Sequence, residues 1–349
     1  MAASVNSRSA LIGYEQLTST WGTAVAPGAT DLVLCKNFGP LGAIATMISD
    51  PCAGYAWHEY IDATQLTQTP ELVVPCRVDG RFWSLIAQCM GLDTKTGAAD
   101  PYTHLMTLVD NIDGSDMFGT LAAEIGGAYR FEWASVKPTG FTFQGPSDGY
   151  IDCTIRTITD VCNLGADGTV VAGDFDALTH NAIDSALPPI FSFGNVSFKM
   201  NVYAGGAVTS EAEIPIKSFN FTFNRNFSHN FLSRASYAKH WQTAEPVEEG
   251  IPEALLTVEL QDFGDLTYFE AHQDESRFKA QLQFLYDATH YVSFEFPGLI
   301  FNPVDANVSG ANRIPRTLNL VPIKVTAPTG MAFTTWRCTV INEFATAYE

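Results

Sequence analysis

The sequence predicts a mainly β protein, and three observations support this fold class. Phenylalanine is frequent, with 24 residues, and aromatic side chains favour strands. The 27 glycines and 18 prolines are spread along the chain, as expected where short strands are joined by turns. Several segments alternate apolar and polar residues with a period of two, which is typical of strands with one buried face. Residues 218–224, Ser-Phe-Asn-Phe-Thr-Phe-Asn, are the clearest example.

The first half begins with residues 1–30, a small and polar segment that we interpret as an ordered arm or loop. Residues 93–101 are predicted to form a polar loop. The sequence Gly-Pro-Ser-Asp-Gly at residues 145–149 predicts the turn of a hairpin. The strands expected in this half are residues 32–34, 43–48, 65–76, 129–133, 141–143 and 150–158.

One helix is predicted in the first half, at residues 79–90. Phe82, Ile86 and Cys89 recur at the spacing of helical turns, and Gly91 is a suitable residue to end the helix. A second helix is predicted at residues 266–278, where Tyr268 and Phe269 begin an apolar face.

The second half repeats this style. Its expected strands are residues 190–200, 218–224, 254–260, 280–285, 291–296, 318–326 and 332–341. Residues 165–189 contain acidic and glycine residues but no basic one, and they predict either a connector between two domains or a long exposed loop. The predicted domains are residues 31–164 and 190–349. A tandem duplication is a hypothesis from element order alone, because no repeat of residues is visible.

Composition limits the classes of function. The net charge of −19 disfavours tight binding of nucleic acid, which needs lysine and arginine to replace counterions. Acidity can also serve solubility alone, or prevent DNA from adhering to a wall that it passes. Only 16% of residues are charged. This favours either surfaces buried in an assembly or a β protein with an uncharged polar surface.

The cysteines predict neither disulfides nor a zinc site. There are seven, an odd number, and none are spaced as Cys-x-x-Cys. We interpret them as small buried apolar residues. The chain has no apolar signal core near its start and no 18-residue apolar run, so we expect a soluble protein made in a reducing cytosol, without a membrane partner.

No catalytic signature stands out, so we predict that the chain is not an enzyme and has no catalytic, cofactor-binding or metal-binding residues. The motifs of serine hydrolases, phosphate-binding loops, zinc proteases and dinucleotide-binding folds are absent. His58 and Glu59 begin a partial zinc motif, but Asp62 occupies the position of the second histidine.

Two other groups could suggest binding or catalysis. The first comprises tryptophans, which we expect in the core because no basic residues are interleaved with them: Trp83, Trp133, Trp241 and Trp336. The second comprises glutamates that we interpret as a solvated turn: Glu245, Glu248 and Glu249.

Four stretches carry a resemblance to a known family. They are residues 14–28, with Trp21-Gly22-Thr23-Ala24-Val25-Ala26-Pro27-Gly28; Pro101-Tyr102-Thr103-His104; residues 216–223; and Glu245-Pro246-Val247-Glu248-Glu249-Gly250-Ile251-Pro252 with residues 254–260 after it. In this order they resemble the tail tube proteins of long-tailed, siphovirus-type bacteriophages. The tetrapeptide is similar to the family's connector after its first helix.

The resemblance implies β-sandwich or barrel domains with flanking helices, arranged in tandem. Inner strands of neighbouring subunits would join into one β-barrel, and stacked rings would form the tube through which DNA is ejected. The implied partners are the protein itself and other tail proteins, namely the tape measure, tail terminator and distal tail proteins. DNA would pass without specific binding, no cofactor is implied, and the implied location is the virion tail after synthesis in the host bacterial cytoplasm.

Two tube domains in each chain predict a homotrimeric ring with pseudo-sixfold symmetry, and one tube domain predicts a homohexamer. Contacts between rings are expected from the arm before Thr30 and from residues 160–184, although both could be plain loops. Two other functions remain open. One is another virion structural role, as a capsid decoration or head–tail connector protein, and the other is a carbohydrate-binding or hydrolytic β-sandwich.

Overall fold

A computed structural model describes residues 10–17, 20–39, 43–48, 61–67, 69–110, 112, 117–127, 129–160, 162–165, 168–178, 189–228, 245–260, 276–302 and 316–348. Within these ranges the fold is mainly β, as predicted. None of the helices in these ranges has the length and apolar character needed to cross a membrane.

Eleven strands lie in the first half of the chain. They are β1 (Ala10–Leu17), β2 (Asn37–Gly39), β3 (Ala43–Ile48), β4 (Ile61–Thr67), β5 (Glu71–Pro75), β6 (Gly91–Thr96), β7 (Tyr102–Leu108), β8 (Phe118–Ile125), β9 (Tyr129–Gly145), β10 (Asp152–Thr159) and β11 (Cys162–Leu164). Two helices accompany them, α1 (Phe82–Met90) and α2 (Ala172–Asp176).

Nine strands lie in the second half. They are β12 (Val196–Val202), β13 (Ile216–Asn224), β14 (Phe227–Ser228), β15 (Val247–Glu248), β16 (Glu253–Leu260), β17 (Phe278–Leu285), β18 (Tyr291–Asn302), β19 (Arg316–Pro322) and β20 (Arg337–Asn342). Two short 3-10 turns cover Phe193–Asn195 and Val208–Ser210.

Sixteen strands form one large sheet, which the described strands leave open. Its main path runs β2-β5-β10-β9-β13-β16-β19-β18-β20-β7-β6. The pairs β1–β8 and β12–β17 branch from β9 and β18. Two small ladders, β3–β4 and β14–β15, stand apart from this sheet. Strands from both halves of the chain therefore share one hydrogen-bonded sheet.

The first eight strands of this path, β2-β5-β10-β9-β13-β16-β19-β18, are all antiparallel to their neighbours, and we call them the eight-strand segment. Their alternating side chains bury one face. Phe219, Phe221 and Phe223 of β13 are at most 3% exposed, whereas the residues between them face away from the core. Burying a phenylalanine contributes about 1.5–3 kcal/mol, so this alternation fixes which face of the segment is turned inward.

Aromatic rings join that buried face to a second layer. Phe143 and Phe221 each lie 5.1 Å, between ring centroids, from Phe294, which belongs to the part of β18 that pairs with β17 and β20 and not with β19. Trp336 lies 5.3 Å from Phe221 with its ring nearly perpendicular, and Trp83 of α1 stacks on Phe143. These tryptophans are core residues, as predicted, and Trp133 is buried as well.

Helix α1 is buried along its whole length and ends at Gly91, which adopts a left-handed conformation with φ of 101°. Arg225, fully buried, caps this end. Its guanidinium donates to the carbonyl oxygens of Cys89 at 2.8 Å and Met90 at 3.2 Å, and pairs with Glu248 at 3.1 Å. A cation at a helix C-terminus is favourable because the helix dipole is negative there.

Several sequence predictions are confirmed. The helix at residues 79–90 exists, although it begins at Phe82. The hairpin around residues 145–149 is the antiparallel pair β9–β10, and the predicted pair at residues 280–285 and 291–296 is β17–β18. The second predicted helix lies outside the described residues up to residue 275, and Phe278 begins strand β17.

Other predictions are wrong at the level of elements. Residues 93–96 belong to strand β6 and not to a loop, because β6 pairs with β7 and buries Asp93. The tetrapeptide beginning at Pro101 is not a connector, since Tyr102 begins β7. Within the predicted arm, β1 pairs with β8 along its whole length.

Candidate functional site

The exposed side of the eight-strand segment is a regular surface with many polar residues, and we call it the polar face. Its central row crosses six neighbouring strands. The register aligns Asp152, Gln144, Asn220, Thr257, Asn319 and Asn302 in that order. Carboxamides and hydroxyls therefore dominate the row.

Hydrogen bonds run across the strands of the polar face. Thr142 and Thr222, which lie in the next row, are 3.2 Å apart through their hydroxyl oxygens. In the central row, the Thr257 hydroxyl donates to Asn319 Oδ1 at 3.0 Å. Such cross-strand polar pairs stabilise a sheet modestly and fix its register. These hydrogen bonds help to order this surface, which also carries the exposed Leu255 opposite Thr222.

The basic groups near this face already have partners. Lys36 pairs with Asp152 at 2.7 Å. Arg156 donates to the carbonyl oxygen of Phe223 at 3.0 Å and to the hydroxyl of Thr142 at 3.4 Å. The central row itself carries no lysine or arginine, so it offers little to attract phosphate groups.

The two ends of the segment are open. Among the described strands, β2 pairs only with β5, so its other edge has no partner. At the far end, residues Leu299–Asn302 of β18 pair with β19, and beyond Leu299 no described strand covers their other side. Unpaired edges expose backbone donors and acceptors and recruit further strands.

The eight strands divide into two sets with the same arrangement. The first set is β2-β5-β10-β9. In addition, β8 and β11 each pair with β9, and β1 pairs with β8. The second set is β13-β16-β19-β18. In addition, β17 and β20 each pair with β18, and β12 pairs with β17. With its three attached strands, each set has seven strands. Taken in chain order, each strand of one set has the same pairing partners within its set as the strand at the same position in the other set.

Short sequence matches align the two sets. Pro70-Glu71 precedes the core residues of β5 as Pro252-Glu253 precedes those of β16. Residues 140–144 of β9 read Gly-Phe-Thr-Phe-Gln, and residues 298–302 of β18 read Gly-Leu-Ile-Phe-Asn. Both matches agree with the strand pairing, since Asp152 opposes Gln144 as Asn319 opposes Asn302. The sequence analysis raised a tandem duplication from element order alone, because these matches are only two to five residues long and do not stand out in one sequence.

The sequence-predicted candidates give no common centre. His58 and Glu59 lie outside the described residues, as does Trp241. The interpretation of Glu245 and Glu248 as a solvated turn is wrong, because Glu245 pairs with the buried Lys137 and Glu248 is buried against Arg225. These two carboxylates balance buried cations, whose desolvation would otherwise be costly.

The predicted connector and arm pack on each other where they are described. Phe175 of α2, with Val170 and Leu178, forms a small buried cluster against Ala122 of β8, and Leu11 and other arm residues pack on it. Val25 donates its backbone N–H to the hydroxyl of Thr120 at 2.9 Å. The described residues of the predicted arm and connector therefore contact other residues of the same chain.

Buried titratable groups serve structural contacts. His104 places Nδ1 at 2.8 Å from Asp93 and Nε2 at 2.9 Å from the carbonyl oxygen of Phe344, so both ring nitrogens are engaged. Tyr348 donates its backbone N–H to Asp93 at 2.8 Å, which fixes the C-terminal segment. Burial raises the pKa of Cys89 to about 12, so this thiol is a poor nucleophile.

Three side chains of types that can ligate a metal meet at another place, where Asp100, His290 and Glu343 lie together.

No protein-family model matches the sequence, and a search of curated proteins finds no match either.

Proposed function

We propose that the chain is a structural protein, that three copies form a ring, and that stacked rings form a hollow tube like the tail tube of a long-tailed bacteriophage. The main observation in support is that the four-strand sets β2-β5-β10-β9 and β13-β16-β19-β18 have the same arrangement and are joined by the β9–β13 ladder. We infer that the two halves arose by duplication, as their shared strand order suggests.

Polarity supports a ring. Every strand in the eight-strand segment is antiparallel to the next, and each set has four strands, so both sets run in the same direction. A rotation about the axis of the ring therefore relates one set to the next. A twofold axis perpendicular to the ring axis would reverse the strand direction. Such head-to-tail contacts generate a closed ring when the rotation closes. The open β18 edge of one copy would receive the open β2 edge of the next.

The junction inside the chain predicts the register of the junction between chains. Thr142 opposes Thr222 in the β9–β13 ladder. On the alignment of the two sets, Thr142 corresponds to Ile300 and Thr222 corresponds to Asn37. We therefore expect Ile300 of one copy to oppose Asn37 of its neighbour.

The size of the ring favours three copies. Three eight-strand segments give twenty-four strands, and at about 4.8 Å for each strand the circumference is roughly 115 Å before tilt. Barrels of 16–18 strands already leave an aqueous channel, so this ring would be wide enough for a DNA duplex. The apolar face packs on its own second layer, and the polar face would line the channel.

The polar face suits passage of DNA without binding. Its central row offers amides and hydroxyls, and the nearby Lys36 and Arg156 already have partners. Tight binding of DNA depends on cations that release counterions. The wall would therefore contact the duplex without holding it.

Electron microscopy and mass measurement test this proposal. Concentrated protein should form hollow cylinders with a central channel, and a solubilised ring should have three times the chain mass of 38.0 kDa. Rings of six chains would support the homohexameric alternative. A protein that stays monomeric at high concentration would contradict tube formation and would favour a decoration protein or a carbohydrate-binding protein.

A further inference from the structure

Three potential metal ligands come together where neighbouring strands end. The carboxylates of Asp100 and Glu343 and the imidazole of His290 each offer a ligand atom, and these atoms lie within 4.8 Å of one another. The distance from His290 Nε2 to Glu343 Oε1 is 3.8 Å. The three residues come from separate parts of the chain, so the fold assembles the cluster.

The sheet itself sets this geometry. Strand β20 lies between β18 and β7, with Tyr291 opposite Ile341 and Tyr102 opposite Asn342. His290 precedes β18, Glu343 follows β20, and Asp100 lies just before β7. Three adjacent strand termini thus position the three side chains. Positions at the ends of paired strands are more rigid than positions on a long loop.

The surroundings of His290 suit a ring that binds a metal through Nε2. Its Nδ1 lies 3.1 Å from both carboxylate oxygens of Asp287. In the tautomer whose Nδ1–H donates to Asp287, the lone pair of the ring is on Nε2. Nε2 is buried and has no hydrogen-bond partner. A buried acceptor without a partner is costly, and a metal ion would satisfy it.

We propose that Asp100, His290 and Glu343 bind one divalent transition-metal ion of the Zn²⁺ class. Imidazole nitrogen favours zinc and similar metals over Mg²⁺ or Ca²⁺, which prefer oxygen ligands alone. Three protein ligands leave a fourth position for water. Asp287 would act as the outer carboxylate that orients a metal-bound histidine.

Bound metal would join the β6–β7 connection, the β17–β18 turn and the C-terminal segment. Because the site needs three separate strand ends, only the folded chain would bind the ion through this set of ligands. Metal should therefore raise the melting temperature, and above the Kd this rise should grow with the logarithm of the free metal concentration. This inference is independent of ring formation.

Titration calorimetry with Zn²⁺ on the full chain tests the site. We expect one saturable site in the wild type, and at least tenfold weaker binding for Asp100→Asn, His290→Gln and Glu343→Gln. Asp287→Asn should weaken binding ten- to a hundredfold, as is usual for outer-shell changes. Asp110→Asn is the matched control, because this exposed carboxylate pairs with Lys324 elsewhere and should not matter.

Two results would overturn the proposal. One is the absence of saturable Zn²⁺ binding to the folded wild type. The other is a Zn²⁺ affinity of Asp100→Asn and Glu343→Gln equal to that of the wild type, which would place bound zinc elsewhere. Melting temperatures in EDTA confirm folding of each variant, and Asp100 is exposed, so Asp100→Asn should fold normally. Mg²⁺ in place of Zn²⁺ should bind much more weakly.

Discussion

Two carboxyl groups share one guanidinium where the N-terminal strand meets the first helix. Arg81 lies 3.0 Å from Asp31 and 3.7 Å from Glu15. Burial, followed by a hydrogen bond and charge repulsion from Asp31, raises the pKa of Glu15 to about 7, although Arg81 lowers it in part. Glu15 therefore binds its proton more tightly in the folded chain than in the unfolded chain.

This raised pKa predicts a loss of stability with increasing pH. The contribution of Glu15 is complete below its ordinary pKa of 4.5 and is lost as pH rises through about 7. Glu15→Gln keeps a neutral side chain at every pH. At pH 8 it should therefore be more stable than the wild type by about 1–2 kcal/mol, after a discount for solvent screening.

Urea unfolding at pH 4 and pH 8 measures this difference. At pH 4 the two proteins should have nearly equal free energies of unfolding, because Glu15 is then mostly protonated in both the folded and the unfolded chain. Asp79, whose pKa burial raises to about 6, adds its own pH dependence to both proteins and cancels in the comparison. An equal difference at both pH values would show that Glu15 does not titrate in this range.

A disulfide can trap the proposed contact between the β18 edge of one copy and the β2 edge of its neighbour. Ile300→Cys and Asn37→Cys in one chain should form disulfides between neighbouring copies, since directly opposed residues have suitable Cα separations. The same two positions within one chain are separated by seven strand spacings, roughly 30 Å, so they cannot bridge internally. Non-reducing electrophoresis of assembled protein would show linked dimers and trimers.

Each single-cysteine variant controls for reaction with native thiols such as Cys35. A second control pairs Asn37→Cys with Leu285→Cys, an exposed position on β17 outside the eight-strand segment. Assembled tubes in which this control crosslinks as well as the designed pair would refute the register. Assembly without any crosslink from the designed pair would refute the edge contact but leave the tube intact.

The same elements show how much of the fold could be predicted from sequence. Strands such as β13 and β16 were found because period-two alternation reflects one buried face. Strand β6 was missed because its sequence, Gly-Leu-Asp-Thr-Lys-Thr, is polar, and Asp93 is buried partly by a partner far away in sequence, Tyr348. Pairing partners determine such strands, and local propensity does not.

The candidate sites were harder to predict for the same reason. The central polar row depends on the register of six strands, and the register of strands far apart in the chain cannot be read from one sequence. Asp100, His290 and Glu343 are likewise neighbours only after the sheet has formed. The prediction that the chain has no metal site used local spacing, which carries no information on side chains that tertiary structure brings together.

In the proposed tube, the polar face of the eight-strand segment lines the channel, and added charge on this face tests that orientation. If the polar face lines the channel, Asn220→Lys with Asn319→Lys would place six new positive charges on the central row of a trimeric ring. Linear DNA present during assembly should then be held inside the tubes and protected from nuclease. Binding should weaken steeply with salt, with a slope of about −0.9 for each phosphate contacted.

The matched control is Val202→Lys with Leu285→Lys, which adds the same charge at exposed positions of β12 and β17. Because these strands lie outside the eight-strand segment, DNA attracted by them should remain open to nuclease, and wild-type tubes should retain none. Nuclease digestion followed by gel analysis of the surviving DNA separates these cases. If the Asn220→Lys and Asn319→Lys tubes bound DNA that nuclease still digested, the polar face would lie on the outside and the barrel would have the opposite orientation.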